Sequence, residues 1–512
     1  MNADYEVAVD WAADGTFTAA GDDVTARVFD RGTPLTAQYG REQARAFAPL
    51  AGGRGQFELN NFSRDYLPDN TASPLAGKVR PGREVRIRAT YGGVTYGLMR
   101  GVVDDIELLP AIEQRSVQVS VLDGLSRLRR VQVSTPLYQG LRTGQAVGLL
   151  LDAAGWPAGR RDLDVGGTVM PWWWADGTDA FTALQAILDA EGPGSLAAVD
   201  IDGRLVFRDR HHRLVRARST TVQATWRSTG IEPCYSAPAS YQAGWADIVN
   251  DVTYPVAVRV PSGQMATVWQ MTGPRSLVDG ETIALTAQSG DPFFGAVPPV
   301  AGVDFQLVSG AVTTALSRTS GQSVTVLVTA VGGPVQLDGM AVRAYPVPVQ
   351  TTVEVHAEDP SSIAEVGRQS WPSDRAPTLA SLPDATAIAD VILAGRARRQ
   401  PTMTVTFRGG VPARLRQQLA RDLSDRVRVI DGGTGLDADC WVERIEHSVS
   451  GADHVTAFGV ERIPAQPAGV LVLGDTIRGK LGTGRLGTTG LDDPAAVFIV
   501  GAGVLGANLL GH

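Results

Sequence analysis

The stretch Gly101-Val-Val-Asp-Asp-Ile-Glu107 alternates apolar and acidic residues, and a similar stretch, Cys440-Trp-Val-Glu-Arg-Ile-Glu446, lies near the other end of the chain. Alternation with a period of two is typical of a strand with one buried face. The two stretches agree in residue type at four places. These are Val103 with Val442, Asp104 with Glu443, Ile106 with Ile445, and Glu107 with Glu446.

Each stretch is the middle one of three β-type runs. The first set covers residues 84–87, 101–107 and 116–123, and the second covers 426–429, 440–446 and 454–461. The shared order and the similar spacing favour an internal duplication of one β unit. The alternative is chance similarity, because strands rich in valine and acidic residues are common.

The composition supports a β protein of several domains. The 512 residues suffice for about three to five domains, and 58 glycines, 30 prolines and 6% aromatic residues indicate a turn-rich chain. Lys and Arg number 46 against 54 Asp and Glu, so the net charge is −8. No basic excess is present to neutralise a nucleic-acid backbone, and sequence-specific nucleic-acid binding is therefore disfavoured.

The pattern changes along the chain and divides it into five segments, which predict a mainly β, multidomain fold with α+β modules. The predicted segments are a first β-barrel at 1–131, an α+β domain at 132–215, a second barrel with a helix at 216–261 and 348–463, an inserted β-sandwich at 262–347, and a Gly/Leu-rich tail at 464–512. We expect the apolar residues of the tail to pack against another surface.

Local signals predict the ends of some elements. Thr178 is predicted to be the N-cap of a helix that stops at Gly192, and Asp384 the N-cap of a helix over 384–399. Asp202-Gly203, between two apolar runs, predicts a hairpin with a type I′ turn.

Export and membrane signals are not found. The acidic start, Met1-Asn-Ala-Asp-Tyr-Glu6, lacks an apolar segment, so we expect no signal peptide and synthesis in the cytoplasm. The uncharged stretch 494–510 is interrupted by glycine and asparagine, and we expect no membrane span.

Three features suggest ligand sites but lack a necessary part. Cys234 and Cys440 have no metal-ligand spacing and are expected to be buried thiols. Residues 474–480 match a P-loop, but Leu481 replaces the Ser or Thr that binds magnesium. Residues 482–487 match GxGxxG, yet no helix follows to hold a pyrophosphate. We expect neither a cofactor nor a metal.

Three clusters could carry chemistry and are interpreted structurally. His211-His212 is expected to lie in a solvated turn, and Asp105 and Glu107 on one polar strand face, although paired carboxylates also occur in glycosidases. Trp172-Trp-Trp174 is expected to be strand core, with stacking on sugars as the alternative. No GxSxG or HExxH signature is present, so no catalytic residue is expected.

Further short stretches accompany the duplication. They are 53–61, Asp69-Asn70, Pro74-Leu75, Pro81-Gly-Arg83, 101–106, Asp123-Gly-Leu125, 190–192, 199–207, 250–253, 384–393, and the Leu-Gly steps at 473, 481 and 486. On these residues the chain resembles the tail hub, or minor tail, proteins of long-tailed (siphovirus-type) phages, especially those of actinobacterial hosts. The resemblance covers about residues 5–260 and 350–490.

The resemblance implies a non-enzymatic structural protein of the virion tail tip, made in the host cytoplasm. Three subunits with two tail-tube-like barrels each would form a pseudo-six-fold ring, leaving a channel for DNA during genome ejection. The implied partners are the tail tube or distal tail protein, the tape-measure protein, and tail-tip or receptor-binding proteins. The segment 262–347 departs from the hub pattern.

Two other functions fit parts of the sequence. The first is a tail adhesin that binds host cell-wall glycan through the 262–347 segment and Trp172–Trp174. The second is a wall-degrading enzyme, which the missing catalytic signatures disfavour.

Overall fold

The computed structural model describes residues 3–28, 33–41, 50–111, 114–318 and 320–463, and two short strands near the C-terminal end. The fold is mainly β and has several separate cores, which confirms the predicted fold class. Within these residues, no helix has the length and apolar character needed to cross a membrane.

The first part of the chain forms a six-stranded unit, named here the first barrel unit. Its strands are β1 (Asp4–Val9), β2 (Leu35–Arg41), β3 (Leu50–Asn60), β4 (Glu84–Tyr91), β5 (Val94–Ala111) and β6 (Gln114–Leu122). They pair in the order β1-β4-β5-β6-β3-β2 around a buried core that includes Phe57 and Val119. Among the described residues of this unit the ladder does not close, but isolated bridges from residues 23 and 28 link β1 to β3.

An α+β module follows. Its elements are α1 (Gly124–Leu128), β7 (Gln132–Val133), β8 (Tyr138–Arg142), α2 (Thr143–Ala153), β9 (Arg161–Leu163), β10 (Val169–Trp173), β11 (Thr178–Asp179), α3 (Ala180–Glu191), β12 (Leu196–Val199), β13 (Leu205–Arg208), α4 (His212–Val215) and α5 (Ala217–Thr220). The apolar faces of α2 and α3 pack in one core with β12 and β13.

Two local predictions in this module are wrong. The N-cap of α3 is Asp179, whose carboxylate accepts the Thr182 N–H at 2.9 Å, because Thr178 pairs with β7. The β12–β13 hairpin is present, but its turn is not type I′, since only Gly203 has positive φ (77°). The Asp200 side chain accepts two backbone N–H groups of the loop, which stabilises a wider turn.

Three strands come next: β14 (Ala224–Arg227), β15 (Ser236–Gln242) and β16 (Asp251–Arg259). The segment predicted as a sandwich then forms one five-stranded sheet with its own core. Its strands are β17 (Ala266–Leu277), β18 (Thr282–Gln288), β19 (Phe293–Val297), β20 (Gln306–Arg318) and β21 (Ser323–Pro346). The long β21 pairs with β18 before the glycines 332 and 333, and with β17 after them.

The last part of the chain contains β22 (Val349–Glu358), α6 (Pro360–Val366), α7 (Leu382–Arg396), β23 (Thr402–Arg408), α8 (Pro412–Ala420), β24 (Arg426–Asp431), β25 (Leu436–Ser450) and β26 (Asp453–Arg462). The N-cap of α7 is Ser381 rather than Asp384, because the Ser381 hydroxyl accepts the Asp384 N–H at 3.2 Å and the helix starts earlier. The pair β16–β22 and α7 pack on the α+β core.

The second barrel unit consists of β14, β15 and β23–β26. Its core surrounds Trp226, Phe407 and Phe458. The strands pair in the order β14-β24-β25-β26-β23-β15, and one isolated bridge, Arg227 to Cys234, links the two ends. Like the first barrel unit, it is a six-stranded ladder that is not closed.

In the predicted C-terminal tail, β27 (Val497–Phe498) pairs in parallel with β28 (Leu509–Leu510). The other residues of the tail, including both glycine-rich motifs, lie outside the described residues.

Candidate functional site

The duplicated stretches adopt the same pairing in both barrel units. Val103 faces Val121 across β5–β6, and Val442 faces Val460 across β25–β26. Directly after these pairs, the register of each ladder shifts by one residue, at 104 in the first unit and at 443 in the second. A shared bulge at a matched acidic residue supports duplication over chance, because bulges interrupt the ladder at specific places.

The two barrel units are joined edge to edge. The first half of β25 pairs with β24, and its second half pairs with β2, from Val449 facing Leu35 to Arg444 facing Gly40. Gly40 has φ 110°, and a Cβ there would lie 2.4 Å from the Glu443 carbonyl oxygen. The joint therefore requires glycine at this position.

The Glu443 side chain is the centre of the joint. This buried carboxylate accepts hydrogen bonds from Arg213 Nη1 at 2.5 Å and Nη2 at 2.9 Å, and from Arg41 Nε at 3.2 Å. Arg41 also donates to the Ser195 carbonyl, and Arg213 Nε donates to Ser424 Oγ at 3.0 Å. One carboxylate thus connects the first barrel unit, the α+β module and the second barrel unit.

Both guanidinium groups at Glu443 are taken out of water. The Arg41 and Arg213 side chains are 4% and 2% exposed. Burial lowers the pKa of Arg41 to about 10, while the Glu443 charge acts in the opposite direction. Buried ions of this kind depend on their partners, because an unpaired charge in the interior costs several kcal/mol.

The matched acid of the first unit has a different environment. Asp104 pairs with Arg130 at 2.9 Å, and the Arg130 side chain is 75% exposed. Asp105 and Glu107 are exposed on one face of β5, as expected from the sequence. Both carboxylates are exposed to solvent, whereas a glycosidase acid needs an apolar enclosure to keep its proton.

A basic segment, residues 208–218, attaches the α+β module to the second barrel unit. Arg208 pairs with Asp162 at 2.5 Å within the module, while Arg218 pairs with Asp425 at 2.6 Å across the boundary. The sequence pattern drew attention only to His211 and His212 of this segment and did not predict that its arginines join two units. The close spacing of its five arginines, at 208, 210, 213, 216 and 218, was the signal that could have identified it.

A cavity of about 560 Å³ lies at the same junction and is lined by both barrel units and the module, including Tyr39, Leu98, Asp123 and Ile201. Burial raises the pKa of Asp123 to about 6, although the N–H groups of Gly53 and Ser126 donate to its carboxylate. Among the charged residues of the lining, Arg204 pairs with Asp200, Arg208 with Asp162, and Arg218 with Asp425.

The expected solvated turn at His211-His212 is wrong. His212 begins the short helix α4, and its Nδ1 lies 2.8 Å from the Asp164 carboxylate. His211 packs against the loop at Gly167, where a Cβ would lie 2.9 Å from the imidazole ring. Burial, aided by the charge of Arg210, lowers the pKa of His211 to about 4.

The three consecutive tryptophans are in contact with protein. Trp173 is buried and stacks on Tyr138, with the ring centroids 5.9 Å apart, which confirms that this residue belongs to the core. Trp172 Nε1 donates to the Arg259 carbonyl at 3.3 Å, and Trp174 Nε1 donates to Gln322 Oε1 at 2.9 Å. Trp174 therefore links the module to the five-stranded sheet, and Trp172 links it to β16, so both contact protein rather than forming an open stacking surface.

Two groups with possible metal chemistry have other roles. Cys234 and Cys440 are buried free thiols, as expected. Asp251, His356 and Glu358 lie close enough to share an ion, but Arg368 donates to Asp251 at 2.5 Å and to Glu358 at 2.9 Å. A guanidinium therefore already supplies the positive charge there.

No protein-family model and no curated protein matches the chain. One solved structure shows the same fold, and a second is similar at a lower score. The tail protein from Neisseria meningitidis MC58 has a TM-score of 0.50 and 12% identity, with 90% of this chain and 97% of that chain covered. The 43 kDa tail protein of prophage MuSo2 from Shewanella oneidensis has a TM-score of 0.46 and 13% identity, with 89% and 98% covered. The fold assignment rests on the first of these structures.

Proposed function

We propose that this chain is a structural, non-enzymatic subunit of a phage tail, namely the tail hub. The observation that carries this proposal is the pair of six-stranded units with the same bulged meander, joined by the β2–β25 ladder. The shared fold with a tail protein of Neisseria meningitidis supports it.

Three copies would place six similar barrel units around one axis. Such a ring matches a six-fold tail tube on one side and a three-fold tip on the other. Closed rings of identical subunits are the usual way in which soluble oligomers satisfy a repeated interface.

We further propose that the ring encloses the channel for DNA passage. The net charge of −8 supports this, because fixed negative charge weakens the binding of phosphate. The tail tube or distal tail protein would contact one side of the ring. The tape-measure and tail-tip or receptor-binding proteins would be its other partners.

The division into segments 1–131, 132–215, 216–261 with 348–463, 262–347 and 464–512 stays part of this proposal. Segment 262–347 has its own core and would form an outer domain. We do not propose the glycan-binding adhesin, because the tryptophans that motivated it contact protein.

The mass of the purified protein by native mass spectrometry tests the proposal. The hub predicts three times the 54.1 kDa of one chain. A chain that stays monomeric at every concentration, and also within assembled tails, would contradict it. Clearing of peptidoglycan or polysaccharide in a zymogram would contradict the non-enzymatic role.

A further inference from the structure

Two strand edges have no described partner along most of their length. β15 pairs with β23 on one side, and beyond the isolated bridge at Cys234 no described strand covers its other side. In β5, the part after Val103 pairs only with β6, since the ladder to β4 ends at Val102. Open strand edges are sites where another strand can add.

The duplication extends to one of these edges. β3 and β23 both pair with the third strand of their meander, and β2 and β15 pair with the outer side of β3 and β23. The registers align Thr36-Ala-Gln-Tyr-Gly40 of β2 with Ser240-Tyr-Gln-Ala-Gly244 in and after β15. β15 is therefore the second unit's equivalent of β2.

The open edge of β5 is the first unit's equivalent of the β25 edge with which β2 pairs. Within the chain, β2 pairs with residues 444–449 of β25. The matched bulges align residues 444–448 of β25 with residues 105–109 of β5. Each chain thus makes one joint internally and exposes both halves of a second joint of the same kind.

We propose that β15 of one copy pairs antiparallel with residues 105–109 of β5 in the next copy. This inference rests on the proposed function and specifies how hub subunits meet. It repeats the internal joint, so that first and second barrel units alternate around the ring. The contact is heterologous, and such contacts form rings when the rotation closes.

The register of the internal joint predicts the residues that meet. Ala37 faces His447 and Gln38 faces Glu446 inside the chain. The equivalent contacts between chains are Tyr241 with Leu108, and Gln242 with Glu107. The glutamine–glutamate pair is thus the same in both joints.

The exposed side chains on the two edges are complementary. Tyr241 is 42% exposed and Leu108 is 38% exposed, although both are large apolar residues. Directly opposite residues in antiparallel strands have Cβ atoms about 4.5–5.5 Å apart, so these two would bury each other. Trp245, 61% exposed at the end of the segment, would lie near the Asp104–Arg130 pair.

Engineered cysteines test the register. Opposite residues have Cα atoms about 4.5–5.5 Å apart, which suits a disulfide. Tyr241→Cys with Leu108→Cys should therefore give chains linked to one another under oxidation, up to a covalent trimer. The matched control is Tyr241→Cys with Glu107→Cys, because a shift of one residue turns the side chain to the other face. The native thiols, both buried, should give no linked chains in the unmodified protein.

The mass of the assembly separates failure of this inference from failure of the proposed function. Trimers in which the 241–108 pair stays unlinked, or in which the 241–107 pair links instead, would contradict the pairing of β15 with β5 but not the proposed trimeric hub. A protein that never forms trimers overturns both. A second variant, Tyr241→Glu, should reduce the mass from three chains to one, whereas Val94→Glu, at a residue 50% exposed elsewhere, should not.

Discussion

Replacement of Glu443 by glutamine tests the joint between the barrel units. The substitution keeps the size of the side chain and removes the charge that two buried guanidinium groups share. Loss of one partner from a buried ion pair costs about 3–5 kcal/mol. For a cooperative unit of about 150–250 residues, that corresponds to a decrease in Tm of about 6–20 °C.

The duplication supplies a matched control. Asp104→Asn makes the same chemical change at the equivalent bulge, where the partner Arg130 is 75% exposed. Exposed pairs contribute about 0–1 kcal/mol, so the control should change Tm by a few degrees at most.

Differential scanning calorimetry of both variants, at equal protein concentration because assembly affects Tm, makes the comparison. Decreases in Tm of similar size in Glu443→Gln and Asp104→Asn would show that the buried ion pairs of Glu443 do not stabilise the joint between the barrel units. If Glu443→Gln lowers the free energy of unfolding by less than about 1 kcal/mol, the Glu443 carboxylate does not stabilise the joint as described.

Three further predictions concern other parts of the molecule. Burial lowers the pKa of His454 to about 4, so its contribution to stability is complete above about pH 6.5 and is lost as the pH falls towards 4. Between pH 6.5 and 5, the free energy of unfolding in urea should therefore fall less steeply for His454→Gln than for the unmodified protein, by on the order of 1 kcal/mol per pH unit. Equal slopes for the two proteins would contradict this. A Cβ at Gly321 would lie 2.6 Å from Trp174 Cβ, so Gly321→Ala should loosen the five-stranded sheet and speed proteolysis near its two connections. Gly40→Ala adds a clash with β25 at positive φ and should cost at least about 2 kcal/mol in urea unfolding. Gly290→Ala is the control for Gly321→Ala, and Gly273→Ala, at φ 93°, is the control for Gly40→Ala, since a Cβ at either position meets nothing within 4 Å. A control that behaves like its variant would contradict the steric argument.

The duplicated meander was predictable because alternation is a local pattern. Val103 and Val442, with the acids that follow them, occupy equivalent places in the two ladders, as the sequence comparison indicated. The corresponding relation between β2 and β15 is not predictable from the sequence, because only a glutamine and a glycine are identical in the five matched residues.

The joint itself could not be predicted from the sequence. Arg41 and Glu443 are 402 residues apart, and no local pattern relates an arginine to a distant carboxylate. The same limit applies to β16, β22 and α7, which pack on the α+β core although they are separated by the inserted segment.

Where neighbouring residues have similar chemistry, the sequence does not decide which of them takes a given structural role. Thr178 and Asp179 are both good N-caps, and the pairing of Thr178 with β7 decides between them. Trp172, Trp173 and Trp174 form one apolar run, and only the folded chain shows which of them contacts the five-stranded sheet.

A cryo-electron microscopy reconstruction of the assembled protein tests the central claim most directly. The hub predicts three chains around one axis, with first and second barrel units alternating in a ring of six and β15 of each chain next to β5 of the following one. An assembly of any other copy number, or one in which the barrel units do not share a common axis, would contradict it.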